Sequence, residues 1–166
     1  MTPESPQPPY RVLFVCMGNI CRSPAAENVF RQQVADAGRS AEFYIDSAGT
    51  LDYHEGSPPD PRMARTLKSH GYPADGFARP LKKADLENFD WVLYMDDDNR
   101  REINRLDRDR SQQQKIRPFV EYCSENHASH VPDPYQGGQE GFELVLRLIE
   151  DAGRGLLASL PSRTNS

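Results

Sequence analysis

The sequence has no apolar run approaching the ~20 residues needed to cross a bilayer, which excludes a helical membrane span. It also lacks a basic excess: 20 Lys and Arg stand against 25 Asp and Glu, giving a net charge of −5 and a pI near 5.4. A surface binder of bulk nucleic acid or of anionic lipid leans the other way, so neither is expected as a partner. Cysteine is scarce. Three, an odd number in 166 residues, do not make a disulfide framework. The opening residues have none of the apolar stretch of a secretory signal, and together these absences lead us to expect a soluble chain in the reducing cytoplasm. No internal repeat is found. What is present is 37% hydrophobic and 27% charged residues, enough for one core with a wet exterior, in a length that suits one domain. Residues 1–9 hold four prolines and little to bury, so they are expected to form a disordered leader, with a domain over 10–160 and a tail over 161–166.

Residues 11–16 form a short apolar run that suits a strand buried on both faces. A turn over 17–22 follows, and Ser23-Pro24 reads as a helix start, with serine as N-cap and proline at the first helical position. Ala26, Phe30 and Val34 recur every fourth residue before Gly38, as on one helical face. The alternation then repeats. A second strand is expected over 41–47, a helix from Asp60-Pro61 to Gly71, a third strand over 90–95, and a polar helix over 98–109. A weaker fourth strand over 115–120 is interrupted by Pro118. Phe142, Val145, Leu146, Ile149, Leu156, Leu157 and Leu160 share one face of a last helix. This order predicts an α/β three-layer sandwich around a four-stranded parallel sheet.

The chemistry concentrates in Cys16, five intervening residues, and Arg22. As a bare pattern this is weak, and a core cysteine beside a surface arginine is the commoner outcome. Context sharpens it: the cysteine ends a buried strand, the arginine opens a helix, and Met17, Gly18, Asn19, Ile20 and Cys21 lie between. Such a turn wraps backbone N–H groups around a tetrahedral anion, and the helix N-terminus adds positive charge there. A cysteine in that setting has its thiol drawn from ~8.5 into the range ~3.5–7.5. Arginine grips two phosphoryl oxygens with a planar fork, which lysine does not.

Residues 12–27 closely resemble the signature of the low-molecular-weight protein tyrosine phosphatases, V-L-F-V-C-x-G-N-I-C-R-S-P-x-A-E. The likeness extends from Arg11 to about Leu160, through Asp46-Ser47-Ala48-Gly49-Thr50, Asp60-Pro61-Arg62, His70-Gly71, Ala78-Arg79, Met95-Asp96 and Asp133-Pro134-Tyr135. The resemblance implies hydrolysis of protein phosphotyrosine and small aryl phosphates, with inorganic phosphate as product and inhibitor, no cofactor, no metal, and a monomer. It makes Cys16 the nucleophile, Arg22 the oxyanion clamp, and Asp133 the general acid and then the general base. Met17, Gly18, Asn19, Ile20, Cys21 and Ser23 complete the phosphate loop, with Ser23 on the Cys16 sulfur and Asn19 bracing the loop through Ser47. Tyr53 and Tyr135 become the aromatic walls of the cleft. Asp96 either positions His70 and nearby loops or starts a helix. Cys21 becomes the redox partner that captures an oxidised Cys16 as a disulfide.

The chain also departs from the family pattern. Gly76 stands where relatives commonly carry a histidine, which removes a brace of the phosphate loop. Gln136 stands where many carry a second tyrosine open to phosphorylation. Three rival readings are weaker. An arsenate reductase on the same loop needs two further relay cysteines, and beyond the loop only Cys123 remains. A silent phosphotyrosine-binding module has no use for both a nucleophile and an acid. A metal site at Cys123, His127, His130 and Asp133 lacks a usual zinc spacing.

Overall fold

In the computed structural model, which describes residues 8–163, β1 (Tyr10–Cys16) lies at the centre of the molecule because both of its faces are apolar. It pairs in parallel with β2 (Phe43–Gly49) on one side and β3 (Trp91–Tyr94) on the other, and β3 pairs with β4 (Ile116–Pro118). The sheet order is β2-β1-β3-β4, all parallel. Alternation along β1 sends Val12, Phe14 and Cys16 into one core and Leu13 and Val15 into the other. The first core is covered by α1 (Arg22–Asp36), α2 (Pro61–Ser69) and α5 (Gln139–Ser159), through Val29, Phe30, Met63, Phe142 and Ile149. The second is covered by α3 (Lys83–Asn88) and α4 (Asp97–Leu106), through Leu86 and Ile103. This is the expected three-layer α/β sandwich.

The departures from expectation are local. α3 was not foreseen: six residues carry too little periodicity to stand out, and Leu86 is the side chain that anchors it. β4 is only three residues long, and 119–122 turn into a 3-10 helix. Pro118 has no N–H to continue the ladder. The glycines of α5 are explained by close approach. A Cβ at Gly153 would run into the Gln33 side chain, and one at Gly155 into the Tyr122 carbonyl. Their helix-weakening cost of about 1 kcal/mol each is therefore exchanged for contact between α5 and its neighbours.

The proposed leader falls largely on residues 1–7, which lie outside the described residues, as do 164–166. Within the described part, Tyr10 Oη donates to the Pro161 carbonyl at 2.7 Å. Arg163 stacks on the Tyr10 ring at 3.7 Å and donates its backbone N–H to Glu42 Oε1 at 2.7 Å.

Candidate active site

β1 delivers Cys16 to the carboxyl edge of the sheet, where ligands collect in open parallel sheets, and α1 begins six residues later. The carbonyls of the turn between them are taken up by neighbouring segments. Thr50 N donates to the Cys16 carbonyl at 2.9 Å, Leu51 N to Met17 O at 3.0 Å, and Asp60 N to Ile20 O at 2.8 Å. Gly49 lies directly beneath; a Cβ there would come within 2.8 Å of Met17 O. Asn19 adopts φ 56°, a left-handed conformation that asparagine tolerates. This aims its N–H at the Cys16 sulfur, 3.3 Å away.

The helix does not start as expected. Arg22 is its first residue, Cys21 is the N-cap, and no side chain caps it. The Ser23 hydroxyl is not the cap; it lies 3.0 Å from Cys16 Sγ, the partner that the family resemblance implied. With Arg22 already helical, Ser23 faces back across the loop, so its oxygen is committed to the sulfur.

Arg22 is 2% exposed. Its Nη1 donates to Asp96 Oδ2 at 2.5 Å and to the Val131 carbonyl at 3.1 Å, and its Nη2 stands 3.7 Å from Asp133 Oδ2. Burial opposes the guanidinium charge, but Cys16, Asp96 and Asp133 outweigh it and hold the group firmly protonated. Asp96 also caps α4, accepting from Asn99 N at 2.9 Å while Asn99 Oδ1 accepts from Asp96 N at 3.1 Å. The possible link from Asp96 to His70 is not formed: His70 Nε2 pairs with Glu143 at 2.7 Å. Asp96 is drawn to Arg22 because a buried cation needs a carboxylate beside it.

The opposite wall is the segment after Val131, whose N–H donates to Met95 O at 2.8 Å. Asp133 Oδ1 accepts from Tyr135 N at 3.0 Å, an Asx turn that leaves Oδ2 facing Arg22. Tyr135 is held from below by Arg62, whose guanidinium lies 5.2 Å from that ring and 4.8 Å from Phe142. Asp60 in turn accepts from Arg62 Nε at 3.2 Å and from Nη2 at 3.1 Å. Tyr53 projects outward, 84% exposed, with its ring 4.8 Å from that of His54, edge to face. The result is a cleft of about 350 Å³. Cys16, Met17, Gly18, Ile20, Cys21 and Arg22 form its floor, and Tyr53, His54, Asp133, Tyr135 and Gln136 its walls.

Behind the loop, Asn19 Nδ2 donates to Ser23 Oγ at 2.7 Å and to Ser47 Oγ at 3.0 Å. Ser47 in turn donates to Glu27 Oε1 at 2.7 Å. Gly76, with φ 105°, leaves the space beside Glu27 open. Cys21 is buried, and burial together with Asp60, Cys16 and Asp133 pushes its thiol far up. All three cysteines are free thiols.

Sequence reasoning passed over His54, Arg62, Glu27 and the Val131 carbonyl. Adjacency to Tyr53 was the available signal for His54. Glu27 closes the signature over 12–27 and Arg62 stands in the Asp60-Pro61-Arg62 landmark, so motif membership was the signal for both; for the Val131 carbonyl, 109 positions from Arg22, a single sequence offers none. Among the described residues no group of three His, Cys, Asp or Glu is arranged to hold a metal ion. Cys123 donates to the Leu148 carbonyl at 3.6 Å, and His130 Nδ1 contacts Ser129 Oγ at 3.0 Å.

Comparison with known proteins bears on this geometry. Residues 11–165 match the family model described as low molecular weight phosphotyrosine protein phosphatase. The chain is 44% identical over 151 residues to a protein of that name from Schizosaccharomyces pombe, covering 90% of this chain and 96% of the relative. It is 42% identical over 135 residues to the Homo sapiens protein, covering 81% and 85%. A crystal structure of a protein tyrosine phosphatase from Entamoeba histolytica superposes with a TM-score of 0.86 at 43% identity, over 90% of this chain and 96% of that one.

Proposed function

The chain belongs to the low molecular weight phosphotyrosine protein phosphatase family, a family of hydrolases, and from that premise we propose that it hydrolyses protein phosphotyrosine and small aryl phosphates through a cysteinyl-phosphate intermediate. In the first step the Cys16 thiolate attacks phosphorus, forming the S–P bond as the P–O bond to the tyrosyl oxygen breaks. Asp133 gives its proton to that oxygen, because an unprotonated leaving group makes departure too costly. Arg22 and the loop amides take the charge that gathers on the equatorial oxygens. In the second step Asp133 accepts a proton from water, the water oxygen bonds to phosphorus, and the sulfur leaves as thiolate. Inorganic phosphate is released. The Ser23 hydroxyl donates to the departing sulfur.

The observation that carries this reading is convergence: a sulfur, a buried guanidinium and a carboxylate meet in one cleft, with Asp133 Oδ2 3.7 Å from Arg22 Nη2. Tyr53 and Tyr135 supply flat surfaces for a phosphotyrosine ring. A phosphoserine side chain is too short to carry its phosphate from the rim to the loop. None of the steps requires a metal, so full activity in excess chelator is expected. No helix among the described residues is long and apolar enough to cross a membrane, and we assign the enzyme to the cytoplasm as a monomer, with phosphate as a competitive product inhibitor.

A regulatory step belongs to the same reading. A peroxide oxidises Cys16 to the sulfenic acid and is itself reduced. The Cys21 thiol then condenses with it, forming the S–S bond and releasing water, and a thiol reductant restores both cysteines. Cys16→Ser tests the central assignment. Turnover of p-nitrophenyl phosphate is expected to vanish with an unchanged far-UV spectrum, and retained turnover sinks the nucleophile.

A further inference from the structure

Seven large apolar side chains are exposed among the described residues, and four of them, Met17, Leu51, Tyr53 and Tyr135, stand at the cleft or against it. Apolar side chains scattered singly over a surface need no explanation, whereas a group of them at the mouth of a site does. Tyr53 and Tyr135 wall the cleft. Met17, 43% exposed, lines it from the loop. Leu51, 48% exposed, stands just outside it. Thr50 N and Leu51 N, donating to the Cys16 and Met17 carbonyls, extend the pairing of β1 and β2 beyond Gly49 and lay Leu51 beside Met17. Neither side chain belongs to either core. The loop that carries Leu51 and Tyr53 holds its own shape: Glu55 N donates to Asp52 O at 3.0 Å, and Ser57 N to His54 O at 2.9 Å.

We propose that Met17 and Leu51 form an apolar shelf on one side of the mouth, which takes an apolar side chain two residues away from the phosphotyrosine of a protein substrate. The proposal rests on the reading of the cleft as a phosphotyrosine site. The occupant follows from that cleft. With the aryl phosphate over the loop, the polypeptide that carries it must leave across the rim, and the shelf is continuous with the rim at Met17. Direction and spacing select the residue. Side chains alternate along an extended chain, so the immediate neighbours of the phosphotyrosine point away from the enzyme. Those two positions off point toward it, roughly 7 Å along. On the α4 side of the mouth the surface is charged and already partnered: Asp97 and Asp98 pair with Arg100 and Arg101, and Asp96 with Arg22. An aliphatic side chain laid on Met17 and Leu51 leaves water on both surfaces, whereas a charged one finds no partner on either. The shelf therefore acts on binding and leaves the chemical step alone.

The test is kcat/KM of the full-length chain on phosphotyrosine peptides that differ at one position, with Leu, Ser, Asp or Lys two residues before or two residues after the phosphotyrosine. It is run on the wild type and on Leu51→Ser, Leu51→Phe and Phe77→Ser. Leu51→Ser keeps the backbone N–H on Met17 and removes the apolar side chain; Leu51→Phe keeps the shelf apolar. Phe77 is the control, an exposed apolar side chain behind the loop, at the small cavity that Glu27 and Ser47 line. The wild type is expected to favour Leu over Ser about three- to tenfold at one of the two positions and not at the other, through KM. Leu51→Ser is expected to lose that preference, with turnover of p-nitrophenyl phosphate and of the Ser peptide unchanged. Leu51→Phe and Phe77→Ser are expected to keep it. The proposal is overturned by a wild type that treats Leu and Ser alike, that prefers Asp or Lys, or that gains equally at both positions. It is also overturned by a preference that survives Leu51→Ser or is lost in either of the other variants. Each of those results leaves turnover of p-nitrophenyl phosphate, and with it the reading of the cleft, in place. A wild type that turns over neither that ester nor any of the peptides sinks the reading itself.

Discussion

The two walls of the cleft are built by opposite means. The phosphate loop is sunk between β1 and α1, and its carbonyls and side chains are taken up by β2, the residues after it, and the start of α2. The segment carrying Asp133 lies at the surface. It is fixed by the Val131 backbone, which donates to Met95 O and accepts from Arg22, and by an Asx turn at Asp133 itself. Buried donors that need no rearrangement suit the half that must stabilise charge. In the proposed reaction, an exposed carboxylate at the rim suits the half that moves a proton. Arg22 joins the halves, because the same guanidinium donates to Asp96 at the head of α4 and to Val131.

Breaking that joint should have the largest effect. Arg22→Lys keeps a charge but loses the fork, and we expect kcat to fall by at least ~10³-fold. A steady-state assay showing a loss under tenfold would mean that the guanidinium geometry is idle. Asp133→Ala disables only the exposed half. Turnover of phosphotyrosine should drop by roughly 10²-fold, while an ester with a very good leaving group should be nearly unaffected. Equal losses on both substrates would remove the acid role.

Arg62→Ala withdraws the prop beneath Tyr135 without touching the loop. KM for a phosphotyrosine peptide should rise about two- to fivefold at constant kcat, and a fall in kcat instead would show that Arg62 serves the chemistry.

The smallest effect on activity is expected from Asp151→Asn; Asp151 holds the 124–126 turn upstream of the acid segment. Asp151 accepts from Ser124 N at 3.0 Å, Glu125 N at 3.0 Å and Asn126 N at 2.8 Å, and from Asn126 Nδ2 at 2.9 Å. Burial raises its pKa, but those donors outweigh it and hold the carboxyl far below the usual range. A folded-state pKa below the unfolded one gives stability that is complete above the unfolded value, near ~4, and is lost as pH falls beneath it. The variant should therefore melt earlier at neutral pH, by about 2 kcal/mol, and show a flatter stability profile between roughly pH 4 and 2, with kcat unchanged. Identical acid-melting curves for the two proteins would show that Asp151 carries none of that pH dependence.

Legibility in the sequence tracked the range over which each feature is encoded. β1, β3 and α5 could be read directly, because burial on two faces or along one stripe leaves its period in neighbouring residues. α3 and the true first residue of α1 could not, since six residues and a single helical position carry no period. The cap reading of Ser23 shows why: Ser-Pro has the chemistry of a cap, but the sulfur across the loop, its other expected partner, takes the same oxygen. Family likeness brought out Cys16, Arg22 and Asp133 together, which spacing alone would not. Gly76 read as a missing brace, whereas Ser47 is bonded directly to Glu27.

Alone, then, the order of residues determined an α/β layering and one anion-shaped turn, since a strand, a turn and a helix start are set by side chains a few positions apart. Tertiary structure alone decided which partners close around that turn. Asp96 reaches Arg22 across 74 positions, Val131 across 109, and Arg79 reaches Asn19 across 60. A buried cation or amide selects its partners by distance in space once the chain has packed, and pattern along the chain carries no trace of that selection.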